Sequence, residues 1–404
     1  MARFIALASI KIFVMGLVFL VSSCGQGQEQ KPSLKKEEAF IHYELGMDYF
    51  GIGEQNKAVD EWRRAVELDP DSEAHHMLGY DYFLKGEYEA AEKEWVYMLS
   101  KNNNKPTALN NLGNLYKARG RGEEATEYYL KALEINPDIP MAYYNIGTIK
   151  SDKGDLESAK ENFSKALKLD PQMPTAMHQM GETLLQEGKI EEAKVYFKKL
   201  ADGEAREDRG FNARLAGYSS LAKMYQLEKN FEEAEKCFLK GIELDPQNPG
   251  LRYSLGNMYE DQGKMDAAEK EYLQILAATP GFPYAYNSLG NLYAEMEKNL
   301  EKAEQVLMRG MQIDQTLKPH FLDSLGWVYY KQGKIEEALS RIEEAIALTK
   351  KEEKKNLASK YYHRGMIYQA KGERTKARED FNKVIELDPE GESGRKVLKI
   401  ADLS

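Results

Sequence analysis

The residues of this sequence that could do chemistry are its six histidines, its two cysteines and its many carboxylates. The histidines are His42, His75, His76, His178, His320 and His363. None lies four residues from another, so no single helix can offer the paired imidazoles of a zinc site. The sequence also has no glycine-rich phosphate loop, no His-Glu-x-x-His, no Cys-x-x-Cys and no nucleophile elbow. We therefore predict no catalytic site, no metal, no cofactor and no small-molecule substrate; the chain is predicted not to be an enzyme.

Cys24 has a distinctive position, directly after an apolar segment. Arg3 and Lys11 supply positive charge, and Ile12 to Val21 is an apolar run of ten residues. That run is too short to cross the roughly 30 Å hydrocarbon core as a helix. Residues 1–23 are therefore predicted to be a signal peptide rather than a membrane span. Cys237 lies in a helical pattern, where it is expected to act as a small hydrophobe.

Val21-Ser22-Ser23-Cys24 resembles the lipobox of bacterial lipoproteins. The resemblance implies that Cys24 is lipidated after cleavage and becomes the new amino terminus. Stable anchoring needs two or more acyl chains, which such processing supplies. Gly25 rather than Asp follows the Cys, which by the enteric sorting rule favours the outer membrane, facing the periplasm. An ordinary secretory signal or an uncleaved signal anchor is the alternative. Residues 24–38 are polar, and we predict a flexible tether there.

The composition argues against a disordered chain and against a nucleic-acid-binding protein. Hydrophobic residues make up 42% of the chain and charged residues 30%, which is too apolar for a disordered protein. The net charge is −10 with no sustained Lys/Arg stripe. Because phosphate neutralisation dominates affinity for nucleic acids, we predict no nucleic-acid partner.

A period of about 34 residues runs through the rest of the chain. A Gly followed three residues later by Tyr marks seven units, two further units keep the Gly alone, and Ala222 replaces it in the sixth. The ten marker positions are Gly46, Gly79, Gly113, Gly147, Gly181, Ala222, Gly256, Gly290, Gly326 and Gly365. An Ala twelve residues after the marker and an aromatic four residues later recur in most units, and six units end in a Pro.

This pattern closely resembles the tetratricopeptide repeat and covers residues 39–390. The resemblance implies an all-α fold, a right-handed superhelical α-solenoid of about ten helical hairpins. Gly and Ala are expected where two helices cross closely, and the Tyr and later aromatic are expected to fill the space between neighbouring hairpins. Turns such as Lys153-Gly154-Asp155 and Gln332-Gly333-Lys334 are expected to place Gly in the left-handed region. A single hairpin cannot bury its apolar face, so stacking must supply the core.

Irregular spacings predict where the array changes. A 41-residue gap adds residues near 201–216, so we predict a long loop or extended helix separating repeats 1–5 (39–207) from repeats 6–10 (208–390). A 39-residue gap near Lys350–Lys355 predicts a longer exposed helix end. Residues 391–404 are predicted to form a capping segment.

The family resemblance also implies a concave groove lined by first-helix positions 2, 5, 9 and 12, counting the marker as position 8. Aromatic rings supply interface area, and side-chain amides can bond the backbone of an extended peptide. The alternative is that these side chains pack between repeats. The predicted groove residues are Phe40, Tyr43, Phe50, His76, Tyr80, Phe83, Asn110, Asn114, Tyr144, Tyr253, Asn257, Tyr284, Asn287, Asn291, Trp327, Tyr330 and Tyr362.

These features predict a membrane-anchored scaffold of the bacterial cell envelope. Its expected partners are proteins, held as extended segments or as subunits of a secretion, pilus, polysaccharide-export or cell-wall machinery. A chaperone-tail clamp is disfavoured, because Asn110 replaces the expected Lys, and Thr175 and Gln179 replace the basic pair. Two alternatives remain: a glycan- or peptidoglycan-binding envelope protein, and a cytoplasmic-facing regulator held by an uncleaved signal anchor.

Overall fold

The computed structural model describes residues 32–102, 105–206, 210–297 and 299–401. Within these ranges the chain forms twenty-one α-helices and one short 3-10 turn, with no β-strand. Contacts divide the chain into two compact units, unit 1 ending at Ala213 and unit 2 beginning at Arg214. The predicted all-α solenoid of ten hairpins is confirmed.

Unit 1 contains five helical hairpins, with the first helix of each odd-numbered and the second even-numbered. Its helices are α1 (Pro32–Gly51), α2 (Gln55–Leu68), α3 (Ala74–Leu84), α4 (Tyr88–Lys101), α5 (Pro106–Ala118), α6 (Gly122–Ile135), α7 (Pro140–Asp152), α8 (Leu156–Leu169), α9 (Pro174–Gln186) and α10 (Ile190–Ala201).

Unit 2 contains five further hairpins and a final helix. Its helices are α11 (Ala213–Leu227), α12 (Phe231–Leu244), α13 (Pro249–Asp261), α14 (Met265–Ala278), α15 (Pro283–Glu295), α16 (Leu300–Ile313), α17 (Lys318–Lys331), α18 (Ile335–Leu348), α19 (Lys354–Lys371), α20 (Arg374–Leu387) and α21 (Glu392–Ala401). The 3-10 turn Gln315–Leu317 precedes α17.

Proline and glycine set the helix ends. Six first helices begin with Pro, whose missing N–H would have no partner in the first turn. Gly154 and Gly333 end their helices with φ of 78° and 76°, as predicted, because glycine enters the left-handed region without a steric penalty. In repeats 6 and 8 a non-glycine residue does the same, Lys229 at φ 59° and Glu297 at φ 49°. Asn299, at φ 67°, lies at the start of α16.

Nine of the ten hairpins close through a contact between the marker Gly and a large side chain of the second helix; repeat 6 has Ala222 at the marker position. A Cβ placed on Gly113 would lie 2.5 Å from the Tyr129 ring, and one on Gly147 would lie 2.6 Å from Phe163. The expectation that this aromatic fills the space between hairpins is therefore wrong in part, because it packs on the Gly of its own hairpin. In repeats 8 and 9 Leu307 and Ile342 take the same place.

The marker Tyr, by contrast, joins neighbouring hairpins, as predicted. The Tyr116 hydroxyl donates to Glu92 of the preceding repeat at 2.6 Å, and Tyr259 donates to Glu235 at 2.8 Å. Equivalent bonds link Tyr293 to Glu269, Tyr329 to Glu304 and Tyr368 to Glu343. The hydrogen bond that Tyr116 donates to Glu92, together with burial, raises the pKa of Tyr116 well above its usual value.

The amino-terminal boundary differs from the prediction. Helix α1 begins at Pro32, so residues 32–38 of the predicted tether are helical. Glu38 and Ala39 are buried, at 9% and 1% exposure, so the packing of repeat 1 begins before the first residue of the periodic pattern. Residues 1–31, including Cys24, lie outside the described part of the chain.

The lengthened segments take different forms. Between α10 and α11 the described residues form a loop, which Arg206 ties down through an ion pair with Asp170 and a backbone bond to Gln172. The extra residues near Lys350–Lys355 lengthen α19 to 18 residues. At the end of unit 2, Val397 of α21 is buried against Ala358 and Val384.

The glycine contact gives a stability prediction. We expect Gly113→Ala to destabilise the fold by about 1–3 kcal/mol, because the added methyl must displace the buried Tyr129 ring. Gly51→Ala is the matched control, since no atom lies within 4 Å of its added Cβ. Urea unfolding of both variants measures the difference, and equal stabilities would contradict the account.

Candidate partner-binding face

The seventeen predicted groove residues all lie on first helices, and none of them is buried. We call the surface that they form in each unit its first-helix face. Phe40 is 61% exposed, Tyr284 49% and Tyr80 37%, while the others are half-buried. The two faces are described separately, because each belongs to its own compact unit.

At the amino-terminal end of unit 1 the face is aromatic. Phe40 and Tyr43 lie 6.4 Å apart between ring centroids, and Phe50 meets Tyr80 edge-on at 6.5 Å. Phe50 also packs on the buried Trp62 at 5.7 Å. Phe83 packs on Trp95 at 6.1 Å in the same way. These rings therefore have one side in the core and one side on the surface.

The centre of the unit 1 face is polar. Asn114 Oδ1 accepts from the Tyr129 hydroxyl at 2.7 Å and from Asn145 Nδ2 at 3.0 Å. Lys117 Nζ donates to Asn145 Oδ1 at 2.9 Å, and its ammonium lies 5.7 Å from the centre of the Tyr144 ring. Burial lowers the pKa of Lys117. Asn145 thus connects two neighbouring repeats, and Asn114, a predicted groove residue, also bonds within the protein.

Asn110 and Tyr144 border this polar centre. The Asn110 Oδ1 atom is buried and has no hydrogen-bond partner among the described residues. Tyr144 packs its ring 6.1 Å from Phe163, and burial raises the pKa of its hydroxyl. A donor from a bound peptide would satisfy the Asn110 oxygen.

Position 5 of one repeat contacts position 6 of the next, in both units. His76 meets Asn111 at 2.9 Å, Tyr253 meets Ser288 at 3.1 Å, Asn287 accepts from Ser324 at 3.0 Å, and Asp323 accepts from His363 at 2.8 Å. Sequence reasoning missed these position 6 residues. Their signal was a small or polar residue two before each marker Gly, which the period alone does not distinguish from a solvent-facing residue.

In unit 2 the face begins with a group of rings around Tyr253. Its ring lies 5.6 Å from Phe282 and 6.2 Å from Tyr284, and it also packs on the buried Tyr272 at 6.0 Å. The Tyr272 hydroxyl donates to Asn257 Oδ1 at 2.7 Å. Asn257 is therefore held in a fixed orientation at the surface.

Trp327 of the unit 2 face contacts three other side chains of the protein. Its indole stacks on His363 at 4.6 Å and lies 5.0 Å from Tyr330, and its Nε1 donates to Glu295 at 3.0 Å. Much of its ring is thus covered by the protein's own side chains. Tyr330 and Tyr362 flank it, the latter packing on Phe381 at 6.4 Å.

Several buried titratable side chains pair with other side chains of the protein. His42 and His75 pair with Glu61 and Glu94 of their own hairpins, each at 2.5 Å. Asp323 is 8% exposed; burial opposes its charge, but His363 and Lys360 outweigh this and lower its pKa. No group of three His, Cys, Asp or Glu within the described ranges could hold a metal ion. No helix of the described part has the length and apolarity needed to cross a membrane.

Family models match four separate stretches as tetratricopeptide repeats, over residues 39–72, 225–283, 321–354 and 359–390. A fifth, the middle TPR-like domain of cilia and flagella-associated protein 70, matches residues 109–244. Together these matches cover more than half of the chain. The chain is a tetratricopeptide repeat protein. Scaffolds of this family are generally non-catalytic and suited to protein–protein interaction, and no catalytic family is among the matches.

Solved structures agree with the tetratricopeptide fold. A tetratricopeptide repeat protein from Parabacteroides merdae is 20% identical and covers 65% of this chain and 98% of its own, with a TM-score of 0.52. The pilF protein of Pseudomonas aeruginosa is 22% identical and covers 57% of this chain and 98% of its own, with a TM-score of 0.47. At these identities the likeness concerns the fold alone. Comparison with curated proteins gives no significant match.

The polar centre of unit 1 gives a second stability prediction. We expect Asn145→Ala to cost about 1–3 kcal/mol, because it removes the acceptor of Lys117 and one of the two donors to Asn114. Asn110→Ala is the control, since its oxygen has no partner to lose, and it should cost clearly less. Thermal unfolding of both variants measures this, and an equal or larger cost for Asn110→Ala would refute the assignment.

Proposed function

We propose that this protein is a membrane-anchored scaffold that binds partner proteins on its first-helix faces in the bacterial cell envelope. One observation supports this most directly. On both faces, aromatic rings and amides contact buried side chains of the protein on one side and are exposed to solvent on the other. Side chains ordered before binding lose little conformational entropy when a partner arrives. A surface of half-exposed Tyr, Phe and Asn side chains is typical of a recognition surface.

The proposed partners are extended protein segments or subunits of an envelope assembly. Binding to successive repeats suits an extended chain, because each repeat presents equivalent positions along the face. Aromatic side chains also stack on sugars, so a glycan partner is the competing outcome. In-cell crosslinking and binding to a glycan array distinguish a protein partner from a glycan partner.

The proposed anchor is Cys24. It follows the apolar run Ile12–Val21 and the lipobox-like Val21-Ser22-Ser23. Acyl chains on this residue would supply the hydrophobic attachment. The expected location is the outer membrane, facing the periplasm, on the strength of Gly25.

The partner-binding proposal is tested with two matched double variants. Tyr284→Ala with Tyr330→Ala removes two accessible rings of the unit 2 face, whereas Leu239→Ala with Leu273→Ala removes exposed apolar side chains from second helices. In-cell crosslinking and mass spectrometry identify the partner, and the affinity of the purified pair is then measured. We expect the first variant to lose about tenfold or more and the second to lose little.

Folding of the Tyr variant is checked by its thermal unfolding. Equal affinities for the two variants would contradict the proposed binding face. Binding to peptidoglycan or to a glycan array, together with empty protein crosslinks, would favour the glycan alternative instead.

The anchor proposal is tested with Cys24→Ser. We expect this variant to lose acyl labelling and to accumulate as an unprocessed precursor, because both steps require the cysteine. The measurements are metabolic labelling with an acyl probe and the mass of the mature amino terminus. A membrane-bound Ser variant with the same amino-terminal mass as the parent would support an uncleaved signal anchor and a cytoplasmic-facing protein.

A further inference from the structure

We infer that the first-helix face of unit 2 takes an extended peptide segment bearing Lys or Arg side chains. This inference rests on the proposed function and specifies the chemistry of the partner at one of the two faces. Three features carry it: carboxylates that form no ion pair, their convergence from separate helices, and the aromatic rings beside them.

The first feature is the state of Glu260 and Glu295. Glu260 Oε2 accepts from the Tyr272 hydroxyl at 2.8 Å, and Glu295 Oε1 accepts from Trp327 Nε1 at 3.0 Å. Neither carboxylate forms an ion pair with any residue of the described ranges. Elsewhere in unit 2, carboxylates such as Glu232 and Glu344 pair with lysines at 2.8 Å. Hydrogen bonds thus orient both carboxylates, and no ion pair holds either of them.

The second feature is that these charges converge. Burial raises the pKa of Glu260, and the neighbouring charges of Asp261, Glu295 and Glu392 raise it further, against the lowering effect of the Tyr272 hydrogen bond. Glu295 and Glu392 also act on the Tyr362 hydroxyl. Geometry places α21 beside the face, because Lys396 pairs with Glu392 at 2.6 Å and lies 5.7 Å from the Tyr362 ring. Carboxylates of α13, α15 and α21 therefore act on one part of unit 2. Bringing like charges together is unfavourable, and a bound cation would relieve it.

The third feature is the aromatic wall around this region, formed by Tyr253, Tyr284, Trp327, Tyr330 and Tyr362. Rings attract cations through their quadrupole. The protein's own lysines demonstrate this here: Lys331 Nζ lies 5.6 Å from the Trp327 ring, and Lys396 Nζ lies 5.7 Å from the Tyr362 ring. Both lysines form their ion pairs with other carboxylates, Glu297 and Glu392. The charge of Glu295 acts on both lysines, but neither forms an ion pair with Glu260 or Glu295.

A peptide is favoured over a free amine because amides recur along the same face. Asn257 and Asn287 use their oxygens within the protein, each as an acceptor. An Asn side chain also has two N–H donors, which suit backbone carbonyl groups of an extended chain. The face of unit 1 has the opposite character at its centre, where Lys117 lies among amides. A cationic segment should therefore select unit 2.

The test measures binding of fluorescein-labelled (Arg-Gly-Ser)4 to the full chain by anisotropy, with (Glu-Gly-Ser)4 as the matched probe. Glu260→Gln with Glu295→Gln removes the two charges but keeps acceptors for Tyr272 and Trp327. Glu301→Gln with Glu337→Gln makes the same change in net charge on exposed second-helix positions. We expect the first variant to bind the Arg peptide about tenfold more weakly and the second to change less than twofold.

Three outcomes would overturn the inference. The first is equal weakening of binding in both variants, which would indicate attraction by net charge alone. The second is equal binding of the acidic probe, and the third is no binding of the Arg peptide. Thermal unfolding of both variants shows whether the fold is intact. The inference and the proposed function fail separately: if the partner captured in cells depends on Tyr284 and Tyr330 but not on Glu260 and Glu295, the scaffold proposal stands and the basic segment is rejected.

Discussion

The contact between a marker glycine and a large side chain sixteen or seventeen residues later is the constraint on which the rest of this structure depends. It sets the distance between the two helices of a hairpin, because any Cβ at the glycine would occupy the space of the ring. The ring in turn is buried, as Tyr129 and Phe163 are at 0% exposure. A repeated hairpin with one fixed spacing can then stack on its neighbours with the same contacts each time.

Between hairpins, polar bonds act in addition to the apolar core that neighbouring repeats share. Tyr hydroxyls donate to Glu side chains of the preceding repeat, and position 5 meets position 6 of the next. Such bonds have directional requirements that apolar packing lacks. They orient the same first-helix side chains that form the exposed faces. The exposed faces and the contacts that hold the array therefore use the same side chains: Trp327 and Asn257 each bond within the protein and are also partly exposed to solvent.

Much of the fold could be predicted from the sequence, because equivalent residues recur at a regular spacing and so mark equivalent positions in each repeat. The glycines, the turns at Gly154 and Gly333, the number of hairpins and the helices that carry the face all follow from a period of about 34 residues. The start of α1 at Pro32 could not, since seven helical residues precede the first periodic one. Nor could the partners of His363 or Asn145, because contacts between repeats depend on side-chain directions that vary from unit to unit.

The early start of α1 has a consequence for how far the protein can reach. Only seven residues lie between Cys24 and Pro32, and a chain of that length spans at most about 28 Å when fully extended. With the proposed acyl anchor at Cys24, the first hairpin would be confined to a layer of that depth above the bilayer. The first hairpin would then meet partners attached to the same membrane within this thin layer rather than throughout the periplasm. Their effective concentration would rise accordingly, and modest affinity per contact would suffice.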